Sequence, residues 1–169
     1  MEVSISEDLS RIIDYARDEA MRTGAYEIGT DHILLGMIRD RENEACSALT
    51  SLGADLDDLK HYLDAQVFHR SSVPYPDSGK VRFSREARNT LNMSVLESSL
   101  ARSPRTGAMD LLLAICRSTG SVGKMYLEAR GITHDAISTY RQQSHEKKAD
   151  THARPRIVEI YVKPAKYPS

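Results

Sequence analysis

Apolar residues recur at helical spacing through most of the chain. Leu9, Ile12, Ile13, Ala16 and Ala20 fall at intervals of three and four, which predicts an amphipathic helix. Ser6 stands before this stripe and Glu7-Asp8 open it, an acceptor and two acids where the free N–H groups of a helix start collect. Thr30 reads as the N-cap of a second helix with Ile33, Leu34, Met37 and Ile38 turned inward. A third helix presents Ala45, Ala48, Leu49 and Leu52 and stops at Gly53, a residue suited to the left-handed conformation of a helix end. Asp55 reads as the cap of a short fourth helix carrying Leu56, Leu59 and Leu63.

The pattern then repeats. A gap-free alignment at an offset of 78 residues sets Ser6 on Ser84, Glu19 on Glu97, Gly29 on Gly107, Leu34-Leu35 on Leu112-Leu113 and Arg39 on Arg117. It continues with Leu49 on Leu127, Gly53 on Gly131, Asp57 on Asp135 and Tyr62 on Tyr140. Register, glycines and apolar positions agree together, and that identifies an internal duplication. The second copy accordingly predicts helices from Ala87 to Leu100, from Leu111 to Cys116 and from Val122 to Ala129, and a last one with Ala136, Ile137 and Tyr140. The expected organisation is one all-α domain over 4–143, with repeat one at 4–64, a linker at 65–82 and repeat two at 83–143. The Pro, Ser and Gly content of the linker marks a loop rather than a helix. The remainder, 144–169, reads as a polar extended tail. Within it the β-branched run Ile157–Val162 suggests a strand that either pairs with a partner or stays unstructured.

Composition narrows the function. Lys and Arg number 23 against 24 Asp and Glu, a net charge of −1, so the basic excess of a general nucleic-acid binder is absent. With 2 Phe and no Trp the core must be aliphatic. Cys46 and Cys116 sit among apolar residues and form no CxxC pair, and the histidines show no HExxH spacing. The first residues lack a basic flank followed by an apolar run, and no apolar stretch reaches the ~18 residues of a membrane span. A cytoplasmic protein without a membrane partner is expected. No G-x4-G-K-[ST] loop occurs: Gly79-Lys80-Val81 and Gly123-Lys124-Met125 have the wrong context.

Gly29-Thr30-Asp31-His32-Ile33-Leu34-Leu35-Gly36-Met37-Ile38 closely resembles the G-T-E-H-[IL]-L-L-G-[LI] signature of the Clp amino-terminal repeat domain, which leads the Clp unfoldases of the AAA+ class. The resemblance extends over residues 4–143. It is specific in the first copy and weaker in the second, where Gly107-Ala108-Met109-Asp110-Leu111 replaces the signature. It implies a pseudo-twofold pair of four-helix repeats making one compact eight-helix domain. It also implies a role in receiving protein substrates or adaptor proteins for an ATPase ring.

Some family members hold phosphorylated arginine with the opening-helix hydroxyl and the signature acid. The matching residues here are Ser6 and Asp31 in copy one. Copy two has Ser84, but Met109 at the acid position and Asp110 one place on. The alternative is that Ser6, Thr30 and Ser84 are helix caps alone. His32 reads as a packing and hydrogen-bonding residue, Glu19 and Glu97 as helix-supporting or inter-repeat ion-pair residues. No catalytic residue, metal site or cofactor is expected. Two functional readings follow: a non-catalytic module that recognises substrates or adaptors for a Clp chaperone–protease, or an accessory subunit that stabilises a protease ring through its tail.

Overall fold

The computed structural model describes residues 4–69 and 71–146. Eight α-helices appear among them: α1 (Glu7–Arg22), α2 (Thr30–Asp40), α3 (Glu44–Ser51), α4 (Leu56–Val67), α5 (Arg85–Leu100), α6 (Ala108–Arg117), α7 (Val122–Glu128) and α8 over 134–146. Two-residue strands β1 (Glu27–Ile28) and β2 (Arg82–Phe83) and a 3-10 turn (Tyr75–Lys80) complete the order. The chain divides into two units after Ile137, and the elements up to that residue make the first. The expected strand at Ile157–Val162 lies outside the described residues.

The 78-residue offset carries over to the helices and their caps. Ser6 accepts from the Leu9 N–H at 3.2 Å, and Ser84 accepts from the Ala87 N–H at 3.1 Å. Asn43 caps α3 through the Cys46 N–H, and Ser121 caps α7 through the Lys124 N–H. Asp55 caps α4 as expected, accepting from Asp57 and Asp58. Gly53 and Gly131 take φ of 98° and 75°, the left-handed geometry that ends α3 and follows α7.

The second helix of each repeat is the centre. Every residue from His32 to Ile38 in α2 and from Ala108 to Cys116 in α6 is buried. Helices apolar on all sides need neighbours on all sides, and α1, α4 and α5 supply them for α2. Each large aliphatic side chain buried there contributes roughly 1.5–3 kcal/mol.

Two expectations are corrected. Gly29, not Thr30, is the N-cap of α2; Thr30 is already helical, its hydroxyl 3.4 Å from that of Thr90. An N-cap residue needs extended backbone, which Gly29 has, and His32 supplies the side chain by accepting the Gly29 N–H on Nδ1 at 2.9 Å. The stretch expected as linker loop begins inside α4, which runs to Val67, and contains the 3-10 turn and the first residue of β2. Of the two readings of Glu19 and Glu97, the local one holds among the described residues. Glu19 meets Arg22 and Arg39 of its own repeat, and Glu97 meets Arg117 and His134 of its own.

β1 and β2 have a consequence larger than their length. Ile28 pairs with Phe83 in parallel, and an isolated parallel bridge joins Ile5 to Thr106. Shifted by 78 residues, the first pairing becomes the second with its partners exchanged. The segment before the first helix of each repeat therefore hydrogen-bonds the segment before the second helix of the other. Ser84 N–H donates to Ile28 C=O at 3.0 Å, and Ser6 N–H donates to Thr106 C=O at 2.9 Å. This exchange gives the pair its pseudo-twofold character.

Candidate functional site

The exchanged strands decide which helix starts face one another. Ser84, at the start of α5, is brought to the start of α2, where a cavity of about 310 Å³ is lined by Gly29, Thr30, Asp31, His32, Ser84, Glu86, Val67, Thr119 and Gly120. A second hollow of about 480 Å³ shares Gly29, His32, Val67 and Ser84 with it and runs on to Tyr26 and His69. Ser6 does not line either hollow. It lies against the start of α6, where a Cβ added to Gly107 would come within 3.4 Å of its hydroxyl. Ser6 and Asp31 therefore lie at different places: the seam groups Ser84 with Thr30 and Asp31, and Ser6 with Gly107.

Most of the sequence-derived site residues already have partners. Asp31 Oδ1 accepts from the Ser121 hydroxyl at 2.8 Å and the Gly123 N–H at 2.9 Å, and its Oδ2 accepts from the Val122 N–H at 3.2 Å. It thus caps α7 of the other repeat, adding to the cap that Ser121 supplies. Ser6 donates its hydroxyl to Asp8. Asp110 is buried and accepts the Gly107 N–H at 2.9 Å, doing for α6 what His32 does for α2.

His32 is the best-defined polar side chain at the cavity. Because Nδ1 accepts from Gly29, the ring proton sits on Nε2, which is 3.2 Å from the Thr23 hydroxyl; that hydroxyl donates to Glu19 C=O at 2.8 Å. Burial holds the imidazole below its ordinary value, outweighing the pull of the Asp31 and Glu19 carboxylates. A neutral histidine with both nitrogens engaged is a packing residue, in keeping with its sequence reading.

Glu86 was not singled out by its motif. It lies in the first turn of α5 on the cavity wall, and its carboxylate has no hydrogen-bond or ion-pair partner among the described residues. Its one signal in the sequence is its alignment with Asp8. The two thiols are buried, and burial pushes Cys46 up to about 11 and Cys116 up to about 12, far from a nucleophile's range. Among the described residues no cluster of three His, Cys, Asp or Glu could hold a metal ion, and no helix is long and apolar enough to cross a membrane. Two helix starts, the Thr30 and Ser84 hydroxyls and the Asp31 and Glu86 carboxylates thus line one groove.

The fold and groove together define a pseudo-symmetric, all-α repeat domain with its hollow at the repeat seam. A family profile, the Clp repeat (R) N-terminal domain, matches residues 4–130, and the chain belongs to that family. It is 25% identical over 138 residues to the negative regulator of genetic competence ClpC/MecB of Bacillus subtilis, covering 82% of this chain and 16% of that protein. It is 30% identical over 122 residues to a probable ATP-dependent Clp protease ATP-binding subunit of Chlamydia pneumoniae, covering 70% of this chain and 14% of that one. The chain thus spans about a sixth or less of these relatives, within the amino-terminal region the family names. Solved structures share the fold: the N-domain of ClpV from Vibrio cholerae (TM-score 0.68, 16% identity, 83% of this chain and 84% of that one) and the Hsp104 N-terminal domain from Candida albicans (TM-score 0.65, 15% identity, 80% and 87%).

Proposed function

We propose that this chain is a non-catalytic protein-binding module that recognises substrates or adaptors for an ATP-dependent Clp chaperone–protease in the cytoplasm. The observation that carries the reading is the seam groove. It joins Thr30, Asp31 and Ser84 from opposite repeats and sets the Asp31 and Glu86 carboxylates beside two helix starts. A polypeptide offers what such a groove accepts: backbone acceptors for N–H groups and side chains for the hollows. Membership of the Clp repeat family and the likeness to amino-terminal parts of Clp ATPases support it. At the pseudo-symmetric position Ser6 and Met109 stand for Ser84 and Asp31, with Asp110 in the place of His32, and these would form a second, lesser contact.

The test is association. The purified full chain, immobilised, is exposed to a Clp ATPase hexamer, its protease ring, an adaptor and a denatured client, each with ATP, with ADP and without nucleotide. Retention of at least one, weakened by Ser84→Arg with the fold intact by circular dichroism, is the expected result. Retention of none in any nucleotide state overturns the proposal.

A further inference from the structure

We propose that the seam cavity continues into a side-chain-sized crevice between α5 and α6, and that the two bind an extended polypeptide bearing a Lys or Arg against Glu86 and an apolar residue two positions on. The inference rests on the groove of the proposed function and specifies its ligand. The crevice holds about 140 Å³ and shares Glu86 and Thr119 with the seam cavity, so the hollows form one path.

The crevice has a packing cause. In repeat one, Gly36 of α2 lies so close to α1 that a Cβ there would come within 2.7 Å of Ile12 C=O and Ala16 N. The residue 78 positions on is Ala114, and the same offset puts Thr90 and Ser94 where repeat one has Ile12 and Ala16. With a Cβ to accommodate, α5 and α6 share less interface than α1 and α2, and Thr90, Met93 and Ala114 line the gap left between them. A volume near ~150 Å³ admits a group the size of benzene, so this half-open crevice takes one Leu or Met side chain, with Met93 and Ala114 as its apolar wall and Asn89, Ser118 and Thr119 as its polar one.

Charge selects the neighbouring residue. Two carboxylates line the seam cavity, and Asp31 has both oxygens committed to α7. Glu86 remains, without a partner among the described residues. Arg117 at the far rim is already held by Glu97 at 2.7 Å, so it does not repel a basic ligand. In an extended chain, residues two apart point to the same face, about 6.5–7 Å apart, and can address both hollows.

The probe is a fluorescein-labelled decapeptide, Gly-Ser-Gly-Arg-Ala-Leu-Gly-Ser-Gly-Ser, titrated with the full chain by anisotropy. Its comparators carry Glu for the Arg or Asp for the Leu. Each change is expected to weaken binding at least tenfold. Glu86→Lys should lose the Arg peptide and gain the Glu peptide, a reversal that general destabilisation cannot produce. Asn89→Trp, which covers the crevice mouth, should abolish the preference for Leu over Asp. Equal binding of all three peptides, no binding up to about 1 mM, or an unchanged preference in Glu86→Lys overturns the inference. If Clp association persists while peptide binding is absent, this inference alone fails; if both are absent, the broader reading fails with it.

Discussion

Asp31 and Gly123 are 92 residues apart, yet the Asp31 carboxylate accepts the Gly123 N–H at 2.9 Å. Ser121 and Val122 donate to the same carboxylate, so one acid of repeat one satisfies the start of a helix in repeat two. Helix starts leave N–H groups without intrahelical partners, and a carboxylate is their best acceptor. Asp31→Ala should cost about 1–3 kcal/mol through donors left unpaired. Asp31→Asn, which keeps one acceptor oxygen, should cost less. Urea unfolding at neutral pH measures both, and equal losses would contradict the capping role.

Gly36→Ala is expected to destabilise although alanine is the better helix former. The new Cβ meets backbone of α1 at 2.7 Å, so the two helices must separate, at about 1–3 kcal/mol. Ala114→Gly at the equivalent place creates no clash and should cost the helix-propensity difference, about 1 kcal/mol, and the burial of one methyl, about 0.8 kcal/mol. Thermal unfolding of the two variants should show both losses, and a Gly36→Ala chain as stable as the wild type would contradict the close approach.

Stability should fall as pH drops below about 6.5 on account of His32. Its folded value lies below the ordinary imidazole value of 6.5, so the unfolded chain takes up the proton first. The contribution is complete above 6.5 and disappears as pH falls through the folded value. Protonation would also cost Gly29 its acceptor on Nδ1. Urea midpoints at pH 7.5 and 5.0 should differ more in the wild type than in His32→Gln.

Glu97 should contribute at lower pH still. Burial alone would raise its value, but the hydrogen bonds from His134 and Arg117 prevail and hold it below the ordinary carboxyl value of 4.5. Its stabilisation is present above that value and lost as pH falls through the folded one. The carboxylate is 6% exposed, so at neutral pH a double-mutant cycle on Glu97 and Arg117 should give a coupling of about 0.5–3 kcal/mol. Glu19 with Arg39, the same pair in repeat one at 3.3 Å, should couple in the same direction. No coupling in either cycle would reduce both pairs to surface decoration.

Much of the fold was legible because it is local. A cap and its N–H lie three residues apart, so Ser6, Ser84 and Asp55 could be read from spacing alone. Thr30 was misplaced by one position because the cap it stood for is a glycine served by His32, a division of labour that spacing does not reveal. The strand exchange was illegible for another reason. Two residues are too few to carry a β pattern, and their partners lie 55 residues and more away.

The candidate site divides along the same line. From its residues alone the chain determined its helices, its duplication and the family signature, because helical periodicity and capping act over three to four positions. Only the tertiary structure decided that Ser84 rather than Ser6 joins Thr30 and Asp31, that Asp31 is consumed by α7, and that Glu86 is left exposed beside an open crevice. Those outcomes depend on how closely helices from different parts of the chain approach. Gly36 against Ala114 sets that approach through a single Cβ, whose effect depends on the backbone opposite it.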